Sequence, residues 1–599
     1  MVDTTLEKKK LPSEEKVWQK YYPEGAKNFD FPKMKTYDLI FEENRNRKDT
    51  IAIEYEGNEI CYGELFDKIE ERTEFLNSKG IKPNEVVTVT MLMSPEFIYD
   101  WYALGRLNAV SDLIDPRTTK SGIKHYLEED EARYILNTDI FTPKVLMAAR
   151  KNKDIEIMNY SLSKSGEKMS FELGAISTVT GALSKAVSVF DKRFQIMDDD
   201  FIKSDSGIIL PDYVSDQPLT IVRTGGTTGL PKGVLLSHDN YNAMAMQYIK
   251  SEIGFEPDDR FLLVMPPWIS YGSGMLHLSM VRGMKVKIIP KLDSNKMPQY
   301  IIKYEPQWFA GVPKHYSIIS DSKYIPENGG TPFLKAGAVG GDAVPAQLFN
   351  KVNEFMLKNG ASQGMYPGYA FTEVSSVLCV RQKGNFKPGS VGTPLPGVTI
   401  GIFKYDEENE ITLDEELEYN KIGEICAQTP TEMLGYFKND EETKQVIRTH
   451  KDGSVWVHSG DLGYLDEDGF LFVTGRIKEM ITRYDGFKIY PNAIEKIINT
   501  HKAIDSCKVV GINDIINKEG QVPRAYIVLK PEYAGKEYQV FKELKNLCAL
   551  VLPKYYTEYL SFDSLEKLPL TAIGKVDFKT LQKLGNSQQK GKSRVRKTA

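Results

Sequence analysis

From residue 86 onward, short β-branched or apolar runs alternate with amphipathic segments, and this rhythm sets the expected fold. Residues 86–92 (VVTVTML) read as a strand, and Pro95 then opens an apolar-rich helix running toward Asn108. Proline is tolerated in a first helical turn because its missing N–H has no intrahelical partner there. Residues 111–115, 132–137 and 155–159 read as further strands, separated by helical patterns at 120–130 and 143–152. Strand and helix in alternation predict an α/β fold with a largely parallel sheet. Residues 161–206, rich in Ser, Lys and Gly, interrupt the pattern and read as an insertion or covering loop. Residues 387–398 (KPGSVGTPLPGV) form a turn-dense stretch, followed by alternating strand patterns through Val473. A second unit begins after Gly475, with a charged connector, a helix at 492–500 and strands at 508–512 and 525–529.

Composition narrows the function classes. The 599 residues carry a net charge of −5, too balanced for a polyanion-binding surface, so no nucleic-acid partner is expected and any nucleotide needs a local site. The five cysteines are far apart, with no CxxC and no Cys/His pair at zinc spacing, and read as scattered reduced thiols. Residues 1–16 are charged throughout and lack the apolar core of a signal peptide. No apolar run approaches the ~18 residues of a membrane span, so a cytoplasmic protein is expected. The end, 590–597 (KGKSRVRK), reads as a solvated disordered tail, with a weak tether to a membrane surface or RNA as the alternative.

The most informative segment is 219–238, LTIVRTGGTTGLPKGVLLSH. A strand leads into three glycines, three threonines, a proline and Lys232. Glycines let successive N–H groups turn toward one point, making an anion-binding nest, while threonine hydroxyls and a lysine add donors and charge. A Walker loop fails as a template, because Lys232 follows Pro231 and the residues after it look like a strand instead of a helix. The string TGGTTGLPKG resembles the signature loop of the adenylate-forming superfamily of acyl-CoA synthetases, adenylation domains and luciferases. Gly225 stands where that family usually has serine.

Further elements of the family's pattern follow in order across residues 35–585. Gly340-Gly341-Asp342 resembles the turn whose backbone lies against adenine and the acyl group. Residues 368–373 (GYAFTE) resemble GYGxTE, with Ala370 replacing a glycine. The resemblance implies that Gly368 and Tyr369 face adenine, Thr372 reaches the α-phosphate and Glu373 holds Mg²⁺. Residues 456–468 (WVHSGDLGYLDED) resemble the segment whose aspartate, here Asp461, accepts from ribose hydroxyls; residues 466–468 read as a plain hairpin turn. Residues 423–443 look like scaffold. Residues 475–479 (GRIKE) resemble the domain connector, with Arg476 near ribose or phosphate and Lys478 as hinge. The following loop, 480–486, is one residue longer than the family norm. Residues 568–577 (LPLTAIGKVD) resemble the loop bearing the catalytic lysine, Lys575.

The resemblance implies an α/β fold: a large N-terminal domain with mixed sheets (1–475), a small mobile C-terminal α+β domain (476–585) and the tail (586–599). It implies an acid–thiol ligase using ATP, CoA and Mg²⁺. Thr224, Gly225, Gly226, Thr227, Thr228, Gly229 and Lys232 would bind phosphates, and Lys575 would bridge the substrate carboxylate and α-phosphate. Residues 266–274 (PPWISYGSG) resemble the acyl-pocket segment, with Ile269 replacing a histidine. Trp268, Ile269, Tyr271 and Gly340 would form a wall that disfavours polar acids. Transfer to a separate carrier protein and an inactive adenylate-binding scaffold are the alternatives.

Overall fold

The computed structural model describes residues 10–160, 171–197, 208–224, 231–290, 292–326, 329–382, 385–517, 519–570 and 576–596, with backbone alone at 171–178 and 589–596. Two large sheets organise the first 470 residues or so. One has eight strands in the order Gly435–Tyr436, Lys232–Ser237, Pro218–Thr224, Val110–Leu113, Val86–Thr90, Tyr134–Thr138, Glu156–Tyr160 and Phe194–Met197. The last six run parallel, as the alternating sequence predicts. The other sheet has nine strands, with a parallel centre formed by Ile51–Tyr55, Lys285–Ile288, Arg260–Leu263, Trp308–Gly311, Ala336–Val339 and Met365–Tyr369. A six-stranded antiparallel sheet over 399–476 completes this part.

The helices follow from local chemistry. Pro95–Arg106 begins on Ser94, whose side chain accepts from the Phe97 N–H, and proline occupies the first turn. His238–Lys250 opens with reciprocal side-chain and backbone bonds between Ser237 and Asn240. The main apolar core runs from Trp18 to Leu471, with Trp18, Trp101 and Trp308 among its largest fully buried side chains, and two smaller clusters lie beside it.

Beyond residue 480 lies a separate core built on Ile481, Ile494, Val509, Ala525, Ile527 and Leu544. It wraps the three-stranded sheet of Ile504–Asn513, Gln521–Leu529 and Ser561–Ser564.

Two expectations change. Residues 161–206 are not one covering loop: a helix spans Phe171–Phe190, and Phe194–Met197 pairs in parallel with Glu156–Tyr160 as an edge strand. Serine and glycine obscured the helix, since both lower intrinsic propensity. The expected disordered end is also corrected over 586–596, where the helix Phe578–Arg596 continues; residues 597–599 lie outside the described residues. Apolar anchors at Phe578, Leu581 and Leu584 dock the helix start and compensate for a basic end that cannot bury itself.

A buried charge cluster fixes the stem of the phosphate hairpin. Arg223 pairs with Asp112 (2.5 Å), Asp130 (3.0 Å) and Glu129, with its guanidinium over the Tyr126 ring. Burial and the neighbouring Asp112 push the Asp130 carboxyl well above its ordinary range, and Arg223 counters this. Arg223→Met would leave two buried carboxylates without their cation. We expect a loss of about 3–5 kcal/mol, read from denaturant midpoints; a midpoint within error of the native chain would show that the cluster is not stabilising.

Candidate active site

Neighbouring parallel strands of the nine-stranded sheet end on one edge, where α/β proteins gather ligand-binding groups. Arg260–Leu263 leads to the 266–271 segment, Ala336–Val339 to Gly340, and Met365–Tyr369 to Thr372 and Glu373. Tyr271 and Tyr316 both donate to the Ala338 carbonyl, at 3.1 and 2.7 Å, locking the strand end before the double glycine. A Cβ on Gly340 would sit 3.7 Å from the Tyr271 ring, at ordinary van der Waals contact, so the ring lies beside this glycine. Gly341 has φ of 83°, a left-handed conformation that glycine adopts without strain. Asp342 is exposed, and its Oδ1 accepts from the Ala343 N–H at 2.8 Å.

The expected acyl wall is assembled only in part. Tyr271 and Gly340 meet, whereas Trp268 lies beneath the Arg117 guanidinium, 5.9 Å from its ring centre. The Trp268 indole N–H is buried with no hydrogen-bond partner among the described residues. Ile269 precedes the helix Ser270–Val281, and its carbonyl accepts from the Gly272 N–H at 2.9 Å. Any Cβ on Gly272 would approach the Pro266 carbonyl oxygen to 1.9 Å, so the turn that presents this wall requires glycine there.

Tyr369 is almost fully buried, and its hydroxyl donates to Asp461 Oδ2 at 2.9 Å. Arg476 Nε reaches Asp461 Oδ1 at 3.1 Å from the adjacent strand, where the two residues are paired in register. The aspartate expected at the ribose is thus engaged at both oxygens, by a hydrogen bond and an ion pair. Burial raises its carboxyl above the ordinary range, opposed by the Arg476 charge. Gly460, just before it, has φ of 70° and donates its N–H to Glu424 at 2.8 Å.

The structure connects Lys232 to Glu373 through a residue that sequence reading assigned to scaffold. Tyr436 pairs with Val234 beside the lysine strand, and its hydroxyl donates to Glu373 Oε1 at 2.7 Å. Lys232 Nζ lies 4.8 Å from the Tyr436 ring centre and is ion-paired with Glu442. Thr443 Oγ1 accepts from the Tyr436 N–H at 2.8 Å, tying that helix to the tyrosine. Only the spacing of Gly435-Tyr436 and Thr443 signalled this contact, and nothing in the sequence marked Glu442.

In the phosphate hairpin, Thr224 faces Lys232 across the antiparallel pair Pro218–Thr224 and Lys232–Ser237, so a strand follows the lysine as expected. Gly225, Gly226, Thr227, Thr228 and Gly229 lie outside the described residues, as does Lys575; Leu570 and Val576 pair as an isolated bridge on either side of 571–575. Gly368 lies in the strand that carries Tyr369, and a Cβ there would meet the Cys379 carbonyl at 3.2 Å. Lys478 is exposed within the short turn Ile477–Glu479. The loop after it folds as a hairpin held by buried Arg483, which reaches Asp485, Glu558 and the Tyr555 carbonyl.

One cluster escaped the sequence reading. Glu424, Cys426 and His458 offer ligand-type atoms within 4.8 Å of one another, and His450 Nε2 lies 3.0 Å from His458 Nε2. The pair spacing on adjacent antiparallel strands, invisible to a search for short motifs, brings them together. Glu424 is already engaged by His458 and the Gly460 N–H, and the Arg448 guanidinium lies 3.4 Å from His458 Nδ1. A resident cation beside that guanidinium is unfavourable, so the cluster is a hydrogen-bonded buttress under the Asp461 turn.

The architecture is that of a class of two-part α/β ligases. A solved anthranilate CoA ligase in complex with anthranoyl-AMP shares the fold, with a TM-score of 0.76 and 19% identity over 94% of this chain and 99% of that one. The chain belongs to the AMP-binding enzyme family, whose model matches residues 40–437, and the family's C-terminal domain matches 493–575. It is 26% identical to a long-chain-fatty-acid–CoA ligase of Bacillus subtilis (strain 168), covering 94% of this chain and 97% of the relative. It is 27% identical to a 2-succinylbenzoate–CoA ligase of Bacillus cereus, covering 90% of this chain and 96% of the relative.

Tyr369→Phe keeps the ring and removes the donor to a buried carboxylate. The expected cost is about 1–3 kcal/mol in stability, measured by chemical denaturation. No change would mean that Arg476 alone satisfies Asp461.

Proposed function

We propose that this chain activates a carboxylic acid with ATP, forming an acyl-adenylate, and transfers the acyl group to CoA with release of AMP and pyrophosphate. The observation that carries this reading is the line Lys232–Tyr436–Glu373, which sets a phosphate-side cation beside a carboxylate at the edge holding Gly340, Tyr369 and Asp461. A carboxylate is a poor electrophile and repels the triphosphate it must attack, so the site's task is to hold both and offset their charge. Thr224, the 225–229 loop and Lys232 bind the β- and γ-phosphates. Lys575 bridges the acid and the α-phosphate, and Thr372 adds a hydroxyl at that phosphate. Tyr369 and the Gly340–Gly341 backbone pack against the base, while Asp461 and Arg476 meet the ribose.

Mg²⁺ fits Glu373: the bond from Tyr436 uses Oε1, a carboxylate has a second oxygen, and hard oxygen ligands suit this ion. When bound, it supplies charge neutralisation at the phosphates. The acid is apolar or aromatic, because Trp268, Ile269 and Tyr271 bring hydrocarbon to the pocket segment and the relatives' names specify long-chain fatty and 2-succinylbenzoic acids. The unpaired Trp268 N–H offers one polar contact. We assign 1–475 and 476–585 to two domains hinged at Lys478, and the protein to the cytoplasm. Among the described residues, no helix is long and apolar enough to cross a membrane.

The test is pyrophosphate release from ATP with a panel of acids. Release should require an acid and favour apolar ones; inorganic phosphate as product, or preference for polar amino acids, would sink the reading.

Lys575→Ala should slow adenylate formation about 10²–10³-fold, as expected for removal of one well-placed electrostatic donor. Thioester formation from supplied acyl-adenylate should be far less affected. Equal losses in both assays would mean that the lysine is not confined to the first half-reaction.

Hinges are a few residues that absorb large φ/ψ changes, and proline fixes φ at its own position and restricts the residue before it. Lys478→Pro should therefore spare pyrophosphate release and sharply reduce thioester formation. Two unaffected rates would show that Lys478 is not the pivot, and a melting curve guards against misfolding.

A further inference from the structure

The helix Phe171–Phe190 covers the edge of the eight-stranded sheet with one face only. Its inner side is set by Ser184, whose hydroxyl accepts from Asn159 Nδ2 at 3.3 Å, and by Val187, which packs on the cluster of Ile135, Val145 and Phe194. On the outer side, Val179, Ala182, Leu183, Ala186, Val189 and Phe190 are all exposed. Their spacing of three, four, seven, ten and eleven residues from Val179 places them on one continuous stripe of an α-helix. Exposure reaches 71% at Val179, 76% at Val189 and 89% at Phe190, so nothing among the described residues covers it. Single exposed apolar side chains are ordinary, but an aligned stripe over three turns is a contact surface.

The charge around the stripe selects the partner. Arg193, just past the helix, donates to the carbonyls of Ala149 (3.1 Å) and Asn152 (2.5 Å). This pins the Phe190 end of the helix beside the exposed basic turn of Arg150, Lys151 and Lys153. Lys185 and Lys192 are exposed on the helix and just beyond it. Of the described acids nearby, Asp191 is spent on Arg193 (2.6 Å), Glu128 on Lys124 (2.6 Å) and Glu131 on Lys438 (2.7 Å), leaving Asp154 and Glu156. An aliphatic stripe ending in phenylalanine with a basic rim matches an anionic bilayer surface, where side chains enter the acyl boundary and lysines meet headgroups. The helix is not apolar enough to span, so it lies in the plane of the interface.

We propose that the outer face of residues 179–190 of this helix is a lipid-docking surface through which the enzyme binds anionic membranes peripherally. This placement stands apart from the reading of the active site, and its test uses no acyl substrate. The stripe sits on the same sheet as the phosphate hairpin, so a docked enzyme would present that lobe at the bilayer, where apolar acids reside.

The full chain is mixed with vesicles of phosphatidylglycerol and phosphatidylcholine, or of phosphatidylcholine alone, and separated by flotation. We expect binding to the anionic vesicles, weaker binding to the neutral ones, and a fall of about tenfold or more in partitioning for Leu183→Ser/Phe190→Ser. Lys151→Glu/Lys192→Glu should abolish the preference for anionic lipid while retaining a weak apolar contribution. Melting curves of both variants should match the native chain, since all four side chains are exposed. Absence of vesicle binding by the native chain, or equal binding by the stripe variant, overturns the proposal. So does a dimer of the native chain that the stripe variant loses, which would assign the stripe to a second copy. Loss of binding on Lys590→Glu/Lys592→Glu/Arg594→Glu, with the stripe variant still bound, would move the contact to the C-terminal helix and overturn it as well.

Discussion

The carboxylate of Asp461 is almost wholly buried, hydrogen-bonded by the Tyr369 hydroxyl at one oxygen and ion-paired with Arg476 at the other. A buried charge is tolerated only when paired and hydrogen-bonded, so this aspartate obliges three segments to meet. Tyr369 comes from the parallel-sheet edge, Asp461 from the antiparallel sheet, and Arg476 from the residue before the Lys478 turn. The site therefore forms only when the antiparallel sheet docks on the parallel one and the connector leaves in one direction. The Glu424 buttress serves the same end, since its bond to the Gly460 N–H holds the tight turn that presents Asp461.

The same logic governs the other side of the edge. Arg223 holds the stem of the phosphate hairpin through carboxylates from two separate segments, and Tyr436 holds Glu373 through a bond from a two-residue edge strand. In each case a loop expected to touch ligand is anchored by a buried polar contact immediately behind it. Glycine is required where backbone comes closest, as at Gly272. Precision at this site is thus supplied from behind, by groups that need never touch a substrate.

Much of this was legible in the sequence where chemistry and chain order coincide. The alternation from 86 to 159 predicts the parallel strands to within a few residues, because each is buried along nearly its whole length. The strand after Lys232 is legible because Gly233–Leu236 does not follow a helical pattern. What escapes depends on long-range pairing. Tyr436 lies 63 residues from Glu373, and Glu442 is 210 residues from Lys232. Cys426 and His458 meet only because two antiparallel strands align them. The helix at Phe171–Phe190 is hidden by serines and threonines spread between apolar positions. The helical basic end is hard to read because composition there speaks for solvation, whereas its anchors lie just upstream at Phe578, Leu581 and Leu584.

Lys232 is ion-paired with Glu442. If a nucleotide recruits this lysine as proposed, it must exchange one anion for another, as a counter-ion is exchanged on a resin. The lysine's desolvation is largely settled before ligand arrives, so the gain on binding is a difference between two ion pairs and not the full strength of one. On that proposal the same exchange would run backward as pyrophosphate departs, with Glu442 again pairing the lysine. A site arranged this way trades depth of binding for ease of release, which suits a step whose product must leave before the next partner can enter.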